Sequence, residues 1–343
     1  MVRQLESKMV LKKMCSTLAT YFIRTPTPWR HPLLHLAAAF QQGDAVAEPA
    51  PEDRGKAMSN ILPTLSEQQL IALMWFSATL AEDVCKVDSH TPANARLHTE
   101  MESIVQEANA ILTYSFNQRE SSEGNLEREA VACFGSWVNY AQPLWPRNPD
   151  ALRYLRDLIP DALRCIYGES SDQEALETFR DILESYTSFF EPTHMDLISR
   201  LINEYMQPIL ERAVAEKDPA GESYGRFVTA YGSANIRQVI EESSESKGSG
   251  IVVKLVLDFM ASDGYPGDEL FLAFGSIEFW NTFIEYVNDE IFSLDTNDEQ
   301  PKWASHAKEV MKRVVELLWQ KLWTPPPEVV KAWGDEEREM FKQ

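Results

Sequence analysis

The chain has 343 residues, of which 44% are hydrophobic and 25% are charged, and this composition is typical of a folded protein rather than a disordered one. Because a single core stops growing at roughly 250–300 residues, the length predicts either two domains or an elongated stack of repeats. The formal net charge of −21 argues against general nucleic-acid binding and against anionic membrane surfaces, since both are themselves negative.

The first part of the chain predicts two helices and a loop. Apolar residues recur at three- and four-residue steps over 5–22, which is the spacing of one helix face, and Pro26 ends that helix. A second helix is expected over 32–40. The segment 41–58 is rich in Gly, Pro, Ala and acidic residues, a composition that predicts a long mobile loop.

The same helical spacing continues to the end of the chain. Ser66 is a good N-cap for the helix that follows it, and Thr91-Pro92 separates that helix from the next. The helices are predicted over 66–86, 92–118, 125–141, 150–167, 172–190, 193–215, 219–245, 250–262, 267–294 and 300–323, with the start of another at 328–343.

No segment alternates apolar and polar residues for long, so we expect an all-α fold. Successive helices joined by short breaks favour an α-solenoid of HEAT-like antiparallel pairs, wound into a right-handed superhelix. Stacked pairs bury a continuous core, which explains how one body forms without an obvious linker. The predicted pairs are approximately 4–41, 65–118, 125–167, 172–215, 219–262 and 267–323, and a further pair starts at 328–343.

The cysteine pattern and the apolar runs predict an intracellular protein. No two of the four cysteines are at C-x-x-C spacing, and all four lie in apolar helical contexts, which favours buried thiols in a reducing compartment. The longest strongly apolar stretch, 70–81, is shorter than the roughly 20 residues that span a bilayer, and the first residues lack the apolar core of a signal peptide. The cysteines are Cys15, Cys85, Cys133 and Cys165.

Histidine motifs for a metal site are incomplete. His31 and His35 stand four residues apart, but Pro32 occupies the position of the Glu in H-E-x-x-H. His98-x-Glu100 resembles half of a zinc deaminase signature, yet no P-C-x-x-C follows, so we expect it on an exposed helix. Neither pair predicts bound metal.

Acidic and glycine motifs are equally incomplete. Glu82-Asp83 precedes Lys86, and Asn288-Asp289 precedes Phe292, where diphosphate lyases need a third oxygen ligand for Mg²⁺. Both are expected at solvated helix ends. Gly248-Ser249-Gly250 has no strand before it and no Lys-Ser/Thr after it. We therefore predict no catalytic residue, cofactor or metal, and no enzyme activity, although a site assembled from distant positions would carry no motif.

The aromatic residues are expected to pack between helices, because most fall on apolar helix stripes. Trp319 and Trp323 are i,i+4 neighbours and are also assigned to the core. The other aromatics assigned to packing are Trp75, Phe76, Phe134, Trp137, Phe189, Phe190, Phe279, Trp280 and Phe283.

Four stretches resemble nuclear transport receptors of the importin-β (karyopherin) superfamily. The stretch 8–22, followed by Trp29, resembles an early HEAT repeat of that family. Within this superfamily the likeness is to the branch of importin-thirteen and the SR-protein transportin, as found in fungi. Cys133-Phe-Gly-Ser-Trp-Val-Asn-Tyr140 is similar to its C-x-x-S-W-V helix, Ser276–Phe283 to a later helix with Phe-Trp, and Trp333–Phe341 to a W-x-x-D-E-x-x-x-F segment.

The resemblance implies a curved receptor that carries protein cargo through nuclear pores, contacts nucleoporins and shuttles between nucleus and cytoplasm. In this family the second helix of each pair lines the concave cargo surface, and the Ran GTPase binds chiefly at the N-terminal repeats. The branch implies import. We expect the sequence to begin within an early repeat and to end before the last ones, so that the opening Ran-binding repeats lie outside it.

An acidic concave surface suits basic nuclear cargo, because opposite charge speeds encounter. Candidate cargo-facing acids on second helices are Asp157, Asp161, Glu204 and Glu211, and the acidic stretches 41–58 and 241–245 are alternatives. The charge also has a simpler interpretation, which is solubility alone. A different helical-repeat scaffold, or an all-helical enzyme with a buried pocket, remains an alternative function.

Overall fold

The computed structural model is all-α in the part of the chain that it describes, and no β-strand occurs there. The described residues are 8–25, 29–47, 54–88, 91–118, 125–146, 148–168, 172–216, 218, 221–245, 248–262, 276–292, 300–321, 328, 331 and 334. The chain divides into two compact units, Met1–Ile182 and Leu183–Gln343.

The described residues of the first unit form eight complete α-helices and most of a ninth, whose last residues belong to the second unit. They are α1 (Lys8–Arg24), α2 (Pro32–Gln42), α3 (Arg54–Ile61), α4 (Glu67–Cys85), α5 (Pro92–Phe116), α6 (Asn125–Leu144), α7 (Pro149–Arg156), α8 (Ile159–Arg164) and α9 (Asp172–Ser185).

The second unit continues with α-helices and one π-helical segment, Ile202–Met206, which joins α10 to α11 without a break. The helices are α10 (Pro192–Leu201), α11 (Gln207–Glu216), α12 (Gly221–Ala234), α13 (Ile236–Glu242), α14 (Ile251–Ala261), α15 (Ile277–Phe292) and α16 (Ala304–Lys321).

Local chemistry explains where several helices begin. The Ser66 side chain accepts a hydrogen bond from the backbone N–H of Gln69, and the Gln69 side chain accepts one from the Ser66 N–H, so the predicted cap of α4 is a full capping box. Thr91 caps α5 through the N–H of Asn94, and Pro92 occupies the first turn of that helix, where its missing N–H costs nothing.

Helices of the first unit form two layers. The first helices of the pairs, α1, α4 and α6, lie side by side, with α4 between the other two. The second helices α2, α5 and α7 form the other layer, with α5 between α2 and α7. Phe76, Phe134 and Trp137 are fully buried, as their positions on apolar stripes predict. Burial of each such side chain contributes roughly 1.5–3 kcal/mol.

The second unit has the same kind of arrangement. The first helices α12 and α15 pack against each other, and the second helices α11, α14 and α16 follow one another in a parallel layer. Phe279 and Phe283 of α15 are fully buried, and Phe189 is buried in the short 3₁₀ turn Thr187–Phe189 that follows α9. Within each unit the fold is therefore that of a HEAT-like helical repeat, as predicted.

Some predicted helices are interrupted, and one was missed. The loop predicted over 41–58 contains the first residues of α3, although 48–53 lie outside the described residues. The helix predicted over 150–167 breaks at Asp157-Leu158, and α8 then begins with Pro160 in its first turn. The helix predicted over 219–245 breaks at Asn235. The six repeat boundaries and the handedness of the superhelix stay predictions.

Candidate functional site

The two histidines at metal-ligand spacing serve the fold instead. The His31 Nδ1 lies 2.5 Å from Glu107 Oε1, and the Glu107 Oε2 accepts a hydrogen bond from the Leu34 backbone N–H at 3.0 Å. His35 contacts the Val46 carbonyl and accepts a hydrogen bond from the Trp29 indole. In the described residues no group of three His, Cys, Asp or Glu side chains could hold a metal ion.

The expectation that His98 lies on an exposed helix is wrong. His98 is only 9% exposed, because its ring stacks on Tyr140 and its Nδ1 lies 2.9 Å from the Tyr140 hydroxyl. Its Nε2 contacts the Val87 carbonyl. Both ring nitrogens thus bind groups of the same unit, which satisfies a polar side chain inside the core.

The acidic motifs lie at the surface, as expected. Glu82 accepts a hydrogen bond from the Ser136 hydroxyl at 2.8 Å, and Asp83 pairs with Lys86 at 3.0 Å. Asn288 and Asp289 are exposed near the end of α15. None of these groups converges with another acid cluster in the described part of the chain to form a magnesium site.

The predicted free thiols are confirmed, with one difference in burial. Cys15, Cys133 and Cys165 are buried, whereas Cys85 is half-buried. Burial raises the pKa of Cys15 to about 11 and that of Cys133 and Cys165 to about 12. Burial also raises the pKa of Cys85. A thiol held in its neutral form is a poor nucleophile, so these residues belong to the packing.

The candidate acids Asp157 and Asp161 lie on either side of the break between α7 and α8. Asp157 is exposed at the end of α7 and forms no ion pair with any described residue. Asp161 is half-buried in the first turn of α8 and pairs with Arg164 at 2.6 Å. Asp157 therefore presents its full negative charge to solvent, whereas Arg164 partly neutralises Asp161.

The candidate acids of the second unit differ in the same way. Glu204 is exposed in the π-helical segment and has no ion pair among the described residues. Glu211 is exposed on α11, accepts a hydrogen bond from Gln207 and pairs with Lys254 at 2.9 Å. Those hydrogen bonds, from Gln207 first and then Lys254, lower the pKa of Glu211. Contact of any of the four acids with cargo stays a prediction.

Of the acids in the alternative stretches 41–58 and 241–245, the structure describes the side chains of Asp44, Glu241 and Glu242, and these are engaged with their own backbone and neighbours. Glu241 pairs with Arg237 at 2.9 Å, and Glu242 accepts hydrogen bonds from the Gln238 side chain and the Ser249 N–H. The Asp44 carboxylate accepts a bond from the N–H of the next residue. These acids therefore offer less free charge than Asp157 or Glu204.

The assignment of Trp319 to the core is wrong. Its side chain is 65% exposed, next to Val315, which is 61% exposed. The helix α16 instead buries a different stripe, which includes Val310, Val314 and Leu317. Trp323, its predicted partner, lies outside the described residues.

A cleft in the second unit was not predicted from the sequence. It has a volume of about 280 Å³, and the described residues that line it come from the end of α9, the turn that follows it, α12 and α15. Leu183, Ala230 and Phe279 form a buried apolar part. The remaining lining residues are Glu184, Thr187, Thr229, Ser233, Ala234, Glu278 and Thr282.

The polar groups of this cleft are mostly acceptors, and the Ser233 hydroxyl can also donate. The hydroxyls of Thr187, Thr229 and Thr282 each donate their proton to a backbone carbonyl of their own segment, at 2.9, 2.9 and 3.0 Å. What each hydroxyl oxygen can still offer a ligand is therefore a lone pair. Glu184 and Glu278 add two carboxylates, and among the described residues that line the cleft none is basic.

Sequence reasoning could not find the cleft, because its residues come from three segments about 50 positions apart in the chain. Each of them stands in an ordinary helical context without a motif. Only the packing of the first helices brings the two carboxylates and the hydroxyls to one place.

None of the helices in the described part of the chain combines the length and the apolarity needed to cross a membrane.

Residues 7–146 match the family model described as Exportin 1-like protein. No curated protein matches the chain. The matched segment includes the layered helices α1 to α6 and two of the stretches quoted above, 8–22 and 133–140. Over residues 7–146 the chain is therefore similar to a family of karyopherin-type transport receptors.

Proposed function

We propose that the chain acts in nuclear transport as an importin-type karyopherin that carries protein cargo into the nucleus under the control of Ran. The observation that carries this proposal is the match of residues 7–146 to the exportin 1-like family. The paired helices of each unit support it, because such repeats bury their apolar seams against each other and leave a long surface for partners.

The proposed cargo is basic. The net charge of −21 gives the protein a negative field that attracts Lys- and Arg-rich proteins and repels nucleic acid. Asp157 and Glu204 are the strongest candidate contacts, because both are exposed and form no ion pair with the described residues. Asp161 and Glu211 are weaker candidates, since each already pairs with a cation of its own unit.

The direction of transport and the branch rest on the residues that resemble importin-thirteen and the SR-protein transportin. The helix that contains Trp137 and the later helix that contains Trp280 carry that likeness. The same proposal includes weak, reversible contacts with nucleoporins and a distribution between nucleus and cytoplasm.

A pull-down with Ran tests the proposal. The complete protein, as its gene encodes it, is immobilised and offered core histones as a basic nuclear probe, then exposed to Ran locked with GTP or loaded with GDP. We expect an import receptor to bind Ran-GTP and to release the histones. With Ran-GDP, we expect no Ran binding and no release of the histones.

Failure to bind Ran-GTP, together with retention of the histones, would contradict the transport proposal. Joint binding of cargo and Ran-GTP, in which neither displaces the other, would instead indicate export. The GDP form of Ran is the matched control, since it differs only in its nucleotide.

A further inference from the structure

We propose that the exposed face of α1 is a docking surface for an acidic amphipathic helix of a partner protein. The surface belongs to a single helix of the first unit, and the charge of that helix is opposite to the charge of the whole chain. The inference stands without the proposed transport function, in which acids on second helices bind a basic cargo.

The helix α1 differs from the rest of the chain in its charge. Its 17 residues include four basic side chains and no acidic one, whereas the whole chain has a formal net charge of −21. The ammonium groups of Lys8 and Lys12 lie over the Trp75 ring of α4. Lys13 and Arg24 are exposed and form no ion pair with the described residues, so two cations are left for a partner.

The same helix exposes large apolar side chains. Met9 is 78% exposed and Tyr21 is 56% exposed, although α1 packs against α4 through a different stripe that includes Cys15 and Phe22. Exposed side chains of this size gain free energy when a partner covers them. A partner that fits α1 therefore brings an apolar surface together with negative charge.

The spacing of these groups fits a second helix laid along α1. Lys13 and Arg24 are eleven residues apart, which is about three turns and about 16 Å at a rise of 1.5 Å per residue. Met9 precedes Lys13 by four residues and Tyr21 precedes Arg24 by three, so each cation has an exposed apolar neighbour within one turn. The complementary helix carries carboxylates about three turns apart and an apolar stripe beside them.

The Tyr21 ring is held in place before a partner binds. It makes an edge contact with the Trp29 ring, with 6.0 Å between the centroids. Trp29 in turn stacks on Phe76 and donates a hydrogen bond to His35. An aromatic side chain that is already ordered loses little conformational freedom on binding, and its hydroxyl can donate to a carboxylate. Tyr21 is therefore suited to anchor the partner next to Arg24.

The negative charge of the rest of the chain narrows the choice of partner. A nucleic acid would meet two available cations on α1 and a repulsive field elsewhere. An acidic protein without an exposed apolar stripe would gain only the two ion pairs. An acidic amphipathic helix gains those pairs and also covers Met9 and Tyr21, while salt at physiological ionic strength screens acids farther away than about 8 Å.

A fluorescence anisotropy titration of the full chain at physiological ionic strength tests this proposal. The probe is a helical peptide of three Glu-Leu-Ala-Ala-Glu-Leu-Ala repeats with a neutral fluorophore, which places glutamates three turns apart and leucines beside them. One comparison peptide carries glutamine in place of every glutamate, and another carries alanine in place of every leucine. We expect each comparison peptide to bind about 5-fold more weakly or less, because each lacks one of the two features.

Two pairs of variants locate the binding. Arg24→Gln should weaken the probe about 2- to 5-fold, the range of an exposed ion pair, whereas Arg212→Gln, which removes the same charge from an exposed position of α11, should not. Tyr21→Ala should weaken the probe about 5- to 30-fold, the range of an aromatic anchor. Tyr167→Ala, at a position that is 52% exposed in the turn after α8, should leave its affinity unchanged.

Equal losses in Arg24→Gln and Arg212→Gln would overturn α1 as the site and assign the effect to net charge. Equal affinity for the glutamate and glutamine peptides would overturn the recognition of charge. Self-association of the protein alone, or binding to phosphatidylserine vesicles, that Arg24→Gln abolishes would assign the face to a second copy or to a membrane instead. The same variants should bind core histones unchanged, so failure of this proposal leaves the transport proposal intact.

Discussion

The Glu107 carboxylate joins two helices of the first unit through both of its oxygens. One oxygen lies 2.5 Å from the His31 ring and the other accepts the Leu34 backbone N–H, which is a free donor at the start of α2. Both side chains are buried. A carboxylate in this place therefore satisfies two groups that water cannot reach.

Glu107→Gln should lower the free energy of unfolding by about 1–3 kcal/mol, because one of the two buried groups then loses its charged acceptor. The measurement is urea denaturation followed by tryptophan fluorescence. Glu100→Gln is the matched control on the same helix, since it removes only an i,i+4 pair with Arg96, worth about 0.3–0.5 kcal/mol. Equal losses in both variants would show that the buried carboxylate has no special role.

The buried thiols predict a loss of stability at alkaline pH. Their folded pKa values, about 11 for Cys15 and about 12 for Cys133 and Cys165, lie above the unfolded value, so the unfolded chain releases these protons first. Stability is then retained below about pH 8.5 and falls above it, by about 1.4 kcal/mol per pH unit for each thiol.

Urea denaturation between pH 8 and pH 10 measures that slope. Cys133→Ala should reduce it by the share of one thiol, whereas Cys85→Ala, at a half-buried position, should change it less. A slope that stays the same in Cys133→Ala would contradict the assignment to buried thiols.

Side-chain burial could be predicted from the sequence only where a helix has a single apolar face to bury. Trp137 lies on the single apolar face of α6 and is buried as expected. The helix α16 has two apolar stripes, one with Val315 and Trp319 and another with Val310 and Val314. The neighbouring helices cover the stripe with Val310 and Val314 and leave the other exposed. His98 was misassigned because its partner Tyr140 is 42 positions away.

At the scale of whole elements, close approach of the backbone positions the cleft. Gly232 lies on α12, next to Ser233, and a Cβ atom built there would stand 2.7 Å from Phe279 Cε2 and 2.8 Å from Val252 Cγ1. Both neighbours are buried side chains of α15 and α14. The missing side chain at 232 thus lets α12 pack closely against both helices.

Gly232→Ala should lower the free energy of unfolding by about 1–2 kcal/mol, because the cost of overpacking, about 1–3 kcal/mol, exceeds the gain of up to about 1 kcal/mol in helix propensity. Gly135→Ala is the comparison, since its Cβ would stand 3.0 Å from a methyl of the half-buried Thr178, which can rotate away. Denaturant titration of both variants checks the order. A Gly232→Ala protein at least as stable as Gly135→Ala would contradict close packing at this point.

Helix starts with local chemistry could be predicted, and helix interruptions were missed. Ser66 and Pro92 act through neighbours three or fewer residues away, so their sequence context contains the whole cause. The π-helical segment lies directly before Pro208, which has no N–H to bond the Glu204 carbonyl, so a local signal for it was present but was not used. The break at Asn235 was not predicted either. The helix α3 was missed because glycine and acidic residues in and before it favour a loop.

At the scale of the whole molecule, the proposed binding of basic proteins rests on the charge and the repeat architecture. The excess of 21 negative charges acts over the surface as a field, which salt screens within a Debye length of about 8 Å at physiological ionic strength.

Composition, helical spacing and the stretches that resemble karyopherins predicted the all-α fold. The cleft could not be predicted, because its residues converge only in three dimensions.

The most direct test of basic-protein binding is a titration of this chain with fluorescent core histones, repeated at several salt concentrations. We expect saturable binding that weakens at least 10-fold between about 50 and 300 mM salt, because the attraction is screened, and no binding of an acidic protein of similar size. Histones that fail to bind at low salt, or that bind equally well at all salt concentrations, would contradict a charge-driven receptor for basic proteins.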